Sequence, residues 1–120
     1  MTLLTRNHED ILIAYFQDVR IIDESRIASL GQELMELITS GKYDRIILNF
    51  QNVSFMSSAM IGKLILFGKK CKATDIQLRL CTINENVQEV FDLMKLEKVF
   101  QVEESEEKAI ASFSKKSWFG

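Results

Sequence analysis

Arg45-Ile46-Ile47-Leu48-Asn49-Phe50, followed shortly by Val53-Ser54-Phe55-Met56-Ser57-Ser58-Ala59-Met60-Ile61-Gly62, decides how this chain folds. The first stretch is apolar without strict alternation, as expected of a strand covered on both faces or lying centrally in a parallel sheet. Beyond it Met60, Ile61, Leu64, Ile65 and Cys71 recur at helical spacing. Ser57 and Ser58 therefore stand where the first backbone N–H groups of a helix have no internal partner. A serine there serves as a helix cap. The same placement, a pair of hydroxyls between a buried strand and a helix, is a phosphoryl-acceptor geometry.

Working outward, Ile11 to Gln17 is fit for a strand and pairs with Thr2 to Thr5 through the polar turn Arg6 to Asp10. From Asp23 the spacing of Ile27, Leu30, Leu34, Leu37 and Ile38 behind the acidic start Asp23-Glu24 predicts a helix that closes near Gly41. Ile76, Leu78 and Leu80 alternate with Gln77, Arg79 and Cys81 as a strand with one more polar face. Asn84 caps a third helix whose apolar stripe is Val87, Val90, Phe91 and Met94. Val99 to Val102 is a last short strand, and Ser105 opens a helix with core candidates Ala109, Ile110 and Phe113. The order is β-β-α-β-α-β-α-β-α. Strands separated by single helices cannot be hairpin partners, so an α/β domain is expected, its mixed sheet mostly parallel with helices packed against it. That domain takes residues 1–113. Residues 114–120 form a C-terminal tail in which Trp118 and Phe119 pack back, bind a partner, or lie at a frayed end.

The chain has 120 residues, the size of one domain able to bury its own core. Fifteen basic against seventeen acidic side chains give a formal net charge of −2, which argues against a nucleic-acid binder driven by phosphate neutralisation. Lys69, Lys70 and Lys72 fall at the end of the second helix, where cations complement the macrodipole. Cys71 and Cys81 have neither the count nor the spacing of a metal site or disulfide framework and read as reduced and partly buried. A single histidine, His8, removes a zinc cluster and makes a Ser-His-Asp triad improbable. No apolar run reaches the roughly 20 residues of a membrane span, and no signal-peptide core is present, so a cytosolic protein without membrane insertion is expected. No glycine-rich nucleotide cradle occurs. The carboxylates are scattered on polar helix faces, so no set of complementary catalytic groups emerges and no cofactor is called for.

The order of elements and the segment from Asp44 to Gly62 together resemble the STAS domain family, and within it the bacterial anti-sigma-factor antagonists. The likeness spans nearly the whole chain. Family members carry, after a strand, a turn reading roughly F-M-D-S-S-G-x-G and then a helix; the corresponding residues here are Phe55-Met56-Ser57-Ser58-Ala59-Met60-Ile61-Gly62. The run from Asn84 to Leu96 is similar to the family's third helix. Three positions depart from the pattern: Ser57 replaces an aspartate, Ala59 the second serine, and Met60 the first glycine.

The resemblance implies a protein-binding switch without catalysis of its own. Ser58 stands at the position of the family's phosphorylated serine, with Ser57 as the alternative acceptor. The implied partners are an anti-sigma factor that is an ATP-dependent serine kinase, bound by the unphosphorylated form, and a metal-dependent serine phosphatase that restores it. Met56, Ser57, Ser58, Ala59 and Met60 are the expected partner-binding residues, with Met60 facing the partner while Ile61 and Leu64 point to the core. The alternative is a non-phosphorylated STAS subunit of a stress-sensing or lipid-transport complex, with Met56 and Met60 as adaptable apolar contacts.

Overall fold

The computed structural model describes the backbone of residues 3–119 and the side chains of residues 3–113. Two antiparallel strands open it, β1 (Leu3–His8) and β2 (Ile11–Phe16), joined at Glu9 and Asp10. The hairpin is tighter than the sequence suggests. Four of the six β1 residues are exposed because β1 is an edge strand, so Arg6 to His8 carry no apolar signal and read as turn. Glu9 takes the left-handed conformation that a two-residue hairpin loop needs, at φ +55°.

A two-residue strand, β3 (Arg20–Ile21), precedes α1 (Glu24–Thr39). Asp23 caps α1 by accepting the Arg26 N–H at 3.0 Å. Gly41, just beyond the end, sits at φ +68°, where a side chain would be strained. The central strand β4 (Arg45–Asn49) follows, then the short β5 (Phe55–Met56), α2 (Ser58–Ala73) and β6 (Gln77–Cys81). Next come α3 (Glu85–Leu93), a 3-10 turn at Leu96–Lys98, β7 (Val102–Glu103) and α4 (Glu106–Phe119).

The main sheet has the order β1-β2-β4-β6-β7 and is parallel from β2 onward. Its three crossovers step the same way, so right-handed connections put α1, α2 and α3 on one face. There Leu12, Ala14, Phe16, Ile46, Leu48, Phe50 and Leu80 meet Leu30, Leu34, Leu64, Phe67, Val87 and Phe91. α4 covers part of the other face, where Ala109 and Phe113 pack on Ile11, Ile13, Ile47 and Cys81. Ile46, Ile47 and Leu48 thus alternate between two covered faces, which is why β4 reads as a continuous apolar run.

Three expectations need correction. The last strand is Val102–Glu103, because Lys95 turns left-handed (φ +57°) into the 3-10 turn, burying Leu96 and Phe100 and leaving Val99 outside. Met94 caps α3 and is exposed, so the α3 stripe is held by Val87 and Phe91. β3 and β5 are additional strands that pair with each other in parallel as a separate ribbon. The backbone of α4 continues through the segment read as a tail, while the side chains of Trp118 and Phe119 lie outside the described residues.

Gly68 has a packing role within α2. A Cβ there would come 2.7 Å from Cε1 of the buried Phe100, whereas one at Gly62 meets nothing within 4 Å. Overpacking costs about 1–3 kcal/mol, against a helix-propensity gain of about 1 kcal/mol for Gly→Ala. Gly62→Ala is therefore expected to raise the urea midpoint and Gly68→Ala to lower it. Equal stabilisation by both would refute the close contact.

Candidate functional site

All three crossover helices begin at the carboxyl end of the parallel strands, since each returns antiparallel to the strand it follows. Their N-termini gather there. Asp23, Ser57 and Asn84 are the three caps, and the Asn84 amide ties α3 to the β5 segment by donating to the Ser54 carbonyl at 3.3 Å.

Within this end, Ser57 and Ser58 have different environments. Ser57 is the N-cap of α2, half-buried, its Oγ accepting the Met60 N–H at 3.4 Å and its carbonyl accepting the Ile61 N–H at 3.1 Å. Its own N–H donates to the Ile21 carbonyl at 3.0 Å, which locks the turn to β3. Ser58, the first helical residue, is exposed, as is Ala59. The amides of Ser58 and Ala59 lie ahead of the first intrahelical bond.

The electrostatics of the four α-helix starts also differ. Glu24 lies in the first turn of α1, Glu85 in that of α3, and Glu106 and Glu107 in that of α4. The first turn of α2 has no acidic side chain. Its positive pole is left without the negative complement that the other three carry. The opposite pole has Lys70 and Lys72 in the last turn, as the sequence indicates.

Met56 and Met60 correct the expected partner-binding set. Both are buried, Met60 completely, so neither presents its side chain to a partner. Met60, Leu64, Phe67 and Cys71 follow i, i+4, i+7, i+11 spacing and form the centre of the α2 stripe, with Ile61 beside it. Of the five expected partner contacts, Ser58 and Ala59 reach the surface fully and Ser57 in part.

The sequence reading missed the β3–β5 ribbon that frames this turn. Val19 and Ile22 flank β3 and Phe55 lies in β5; all three are large, apolar and exposed. The Val19 carbonyl accepts the N–H groups of Ser54 (2.8 Å) and Phe55 (3.3 Å). Behind the ribbon, Arg26 donates to both Asp18 carboxylate oxygens at 2.8 and 2.7 Å, fixing the β2–β3 connection to α1. These hydrogen bonds hold the Asp18 carboxyl below the usual carboxylate range. The available signal was Val19-Arg20-Ile21-Ile22, three β-branched residues around one arginine, set between two aspartates outside any longer element.

A polar cluster on the α4 face was also not anticipated. Glu106 accepts from Tyr15 at 2.5 Å, from the buried Asn49 at 3.0 Å, and from Arg6. Burial pushes the Glu106 carboxyl up, but hydrogen bonds from Tyr15, Arg6 and Asn49 outweigh it and hold the group below its ordinary value. Its donors come from β1, β2 and β4, so it ties the start of α4 to the sheet. A nearby groove of about 750 Å3 is lined by Leu4, Tyr15, Val19 and Gln51 among others, and neither Ser57 nor Ser58 lines it. Cys71 and Cys81 are both fully buried, and burial pushes the Cys71 thiol up to about 12. Among the described residues no group of three or more His, Cys, Asp or Glu is placed to hold a metal ion, and no helix is long and apolar enough to cross a membrane.

Comparison with known proteins matches this arrangement. The chain is 28% identical over 113 residues to BtrV of Bordetella bronchiseptica, which carries the name of an anti-sigma factor antagonist; the match covers 94% of this chain and 95% of that one. Its fold is similar to the anti-sigma factor antagonist SpoIIAA in its unphosphorylated form, with TM-score 0.76, 19% identity, and 93% and 96% of the two chains covered. It is also similar to the Bacillus cell fate determinant SpoIIAA in the phosphorylated form, with TM-score 0.70, 18% identity, and coverage of 92% and 98%. The sequence pattern of the STAS domain matches residues 3–109, nearly the whole chain, and the protein belongs to the STAS domain family.

Proposed function

We propose that this protein is an anti-sigma-factor antagonist that binds its anti-sigma factor, a serine kinase, through the end of the domain that carries Ser58, and that phosphorylation of Ser58 releases it. The observation that carries the reading is Ser58 itself: an exposed hydroxyl in the first turn of α2, which alone of the α-helices among the described residues has no acidic side chain there. A phosphate adds about −1.5 to −2 charges and three acceptor oxygens. At this position it meets unpaired amides and the positive helix pole, so the modified form is stabilised without a fold change. Against a partner surface the same group costs desolvation and repels acidic neighbours.

Ser58 is the acceptor rather than Ser57, because Ser57 is half-buried and its Oγ serves the cap. Catalysis belongs to the partners, the kinase that adds phosphate and a serine phosphatase that removes it. The names of the relatives support the anti-sigma partnership, and the existence of a phosphorylated form of SpoIIAA supports the modification.

Incubation with an anti-sigma factor kinase from the same organism and ATP, followed by phosphate mapping by mass spectrometry, tests this. Phosphate is expected on Ser58 and is expected to be lost in Ser58→Ala. Ser58→Asp should bind the kinase at least about tenfold more weakly, a difference of about 1.4 kcal/mol. Full-stoichiometry phosphorylation of Ser58→Ala on Ser57 would show the acceptor to be wrong. Normal binding by Ser58→Asp with neither serine modified would remove the switch.

A further inference from the structure

Val19, Ile22 and Phe55 are exposed by 58, 49 and 40%. Single exposed apolar side chains are ordinary, but Ile22 and Phe55 lie beside Arg20 as a ridge on one side of the β3–β5 ribbon, whereas Val19, two residues before the buried Ile21, falls on the other side and lines the groove beside β1 and β2. Arg20 lies opposite Phe55 and Ile21 opposite Met56. Ile21 and Met56 are buried, so by strand alternation Arg20, Ile22 and Phe55 point outward. The ridge is continuous with the phosphoacceptor turn through the Ser57 N–H to Ile21 carbonyl bond.

Its one cation is unpaired. The Arg20 guanidinium lies 5.5 Å from the Phe55 ring centroid, and no carboxylate pairs with it among the described residues. The neighbouring acids are engaged elsewhere: Asp18 is taken by Arg26, and Asp23 caps α1 and accepts from Ser25. Glu24 is in the first turn of α1, where its charge complements that helix pole. The cation–π contact with Phe55 keeps a planar, weakly hydrated fork on this surface, available for bidentate contact.

We infer that the ridge of Arg20, Ile22 and Phe55 is a docking surface for the same partner, and that the partner meets it with apolar side chains around a carboxylate that pairs with Arg20. The inference rests on the Ser58 reading and deepens it. The sign of the switch agrees: a phosphate on Ser58 would strengthen binding to a basic surface and weaken binding to an acidic one. An acidic complement adds repulsion to the desolvation cost on phosphorylation, and an unpaired arginine selects the same kind of surface.

The affinity of the purified kinase for the full chain, measured by titration calorimetry in low and high salt, tests this with Arg20→Glu and Phe55→Ser. Leu93→Ser is the control, at a residue 84% exposed at the far end of α3. Arg20→Glu and Phe55→Ser should each weaken binding by about tenfold or more. The Arg20→Glu loss should shrink in high salt, and Leu93→Ser should bind as wild type. Unchanged thermal unfolding verifies that the exposed substitutions leave the fold intact. Wild-type affinity for Arg20→Glu overturns the carboxylate complement, and wild-type affinity for Phe55→Ser overturns the ridge. If the ridge variants lose binding to a kinase that never modifies Ser58, the switch fails and the ridge stands. No binding by wild type overturns both.

Discussion

Replacing Met60 by glycine is expected to lower the unfolding free energy by about 3–6 kcal/mol while leaving the partner affinity of the folded protein unchanged. Met60 is wholly buried at the centre of the α2 stripe, next to Leu64 and Phe67. Truncating a buried methionine side chain costs about 2–5 kcal/mol through lost burial and the residual cavity, and a glycine in a helix adds about 1 kcal/mol. Met60→Leu conserves volume and should cost less than about 1.5 kcal/mol. Urea unfolding alongside calorimetric titration of the partner separates the two quantities. Unaltered stability with lost affinity would put the Met60 side chain at the interface instead.

Leu48→Ala should cost about 2–5 kcal/mol for the same physical reason. Leu48 is wholly buried in β4, in register with Ala14 on one side and Leu80 on the other, under the helix layer. The site has little freedom to collapse, because both flanking strands are fixed by parallel ladders. A loss below about 0.5 kcal/mol, the range of an ordinary surface substitution, would be incompatible with a central position for this strand.

Much of this architecture was legible because the longer elements repeat a signal. α1 buries Ile27, Leu30, Leu34 and Ile38 at helical spacing behind an acidic start, and β4 shows an apolar run from Ile46 to Leu48. Asn84 was legible as a cap and Ser57 as one of two candidate cap serines, whereas Asp23 read only as part of an acidic helix start and proves to be the cap itself. The β3–β5 ribbon was not. Two residues per strand are too few to show alternation, and the bonds that define the ribbon join Val19 and Ile21 to residues 54 to 57, far along the chain.

The burial of Met60 was misread for a different reason. The turn drew attention to what a family glycine would leave open, while the spacing of residues 60, 64, 67 and 71 already placed the side chain inward. A methionine there is compatible with an exposed Ser58, since residues two apart on a helix point to different sides. The polar cluster of Arg6, Tyr15, Asn49 and Glu106 brings together four residues spread over a hundred positions, so no local pattern announces it.

The most direct test of the Ser58 switch is the affinity of the anti-sigma factor for this protein before and after stoichiometric phosphorylation of Ser58. The exposed position at an uncomplemented helix pole predicts a loss of about tenfold or more, reversed when a phosphatase removes the group. Equal affinity of the unmodified and Ser58-phosphorylated forms would contradict it.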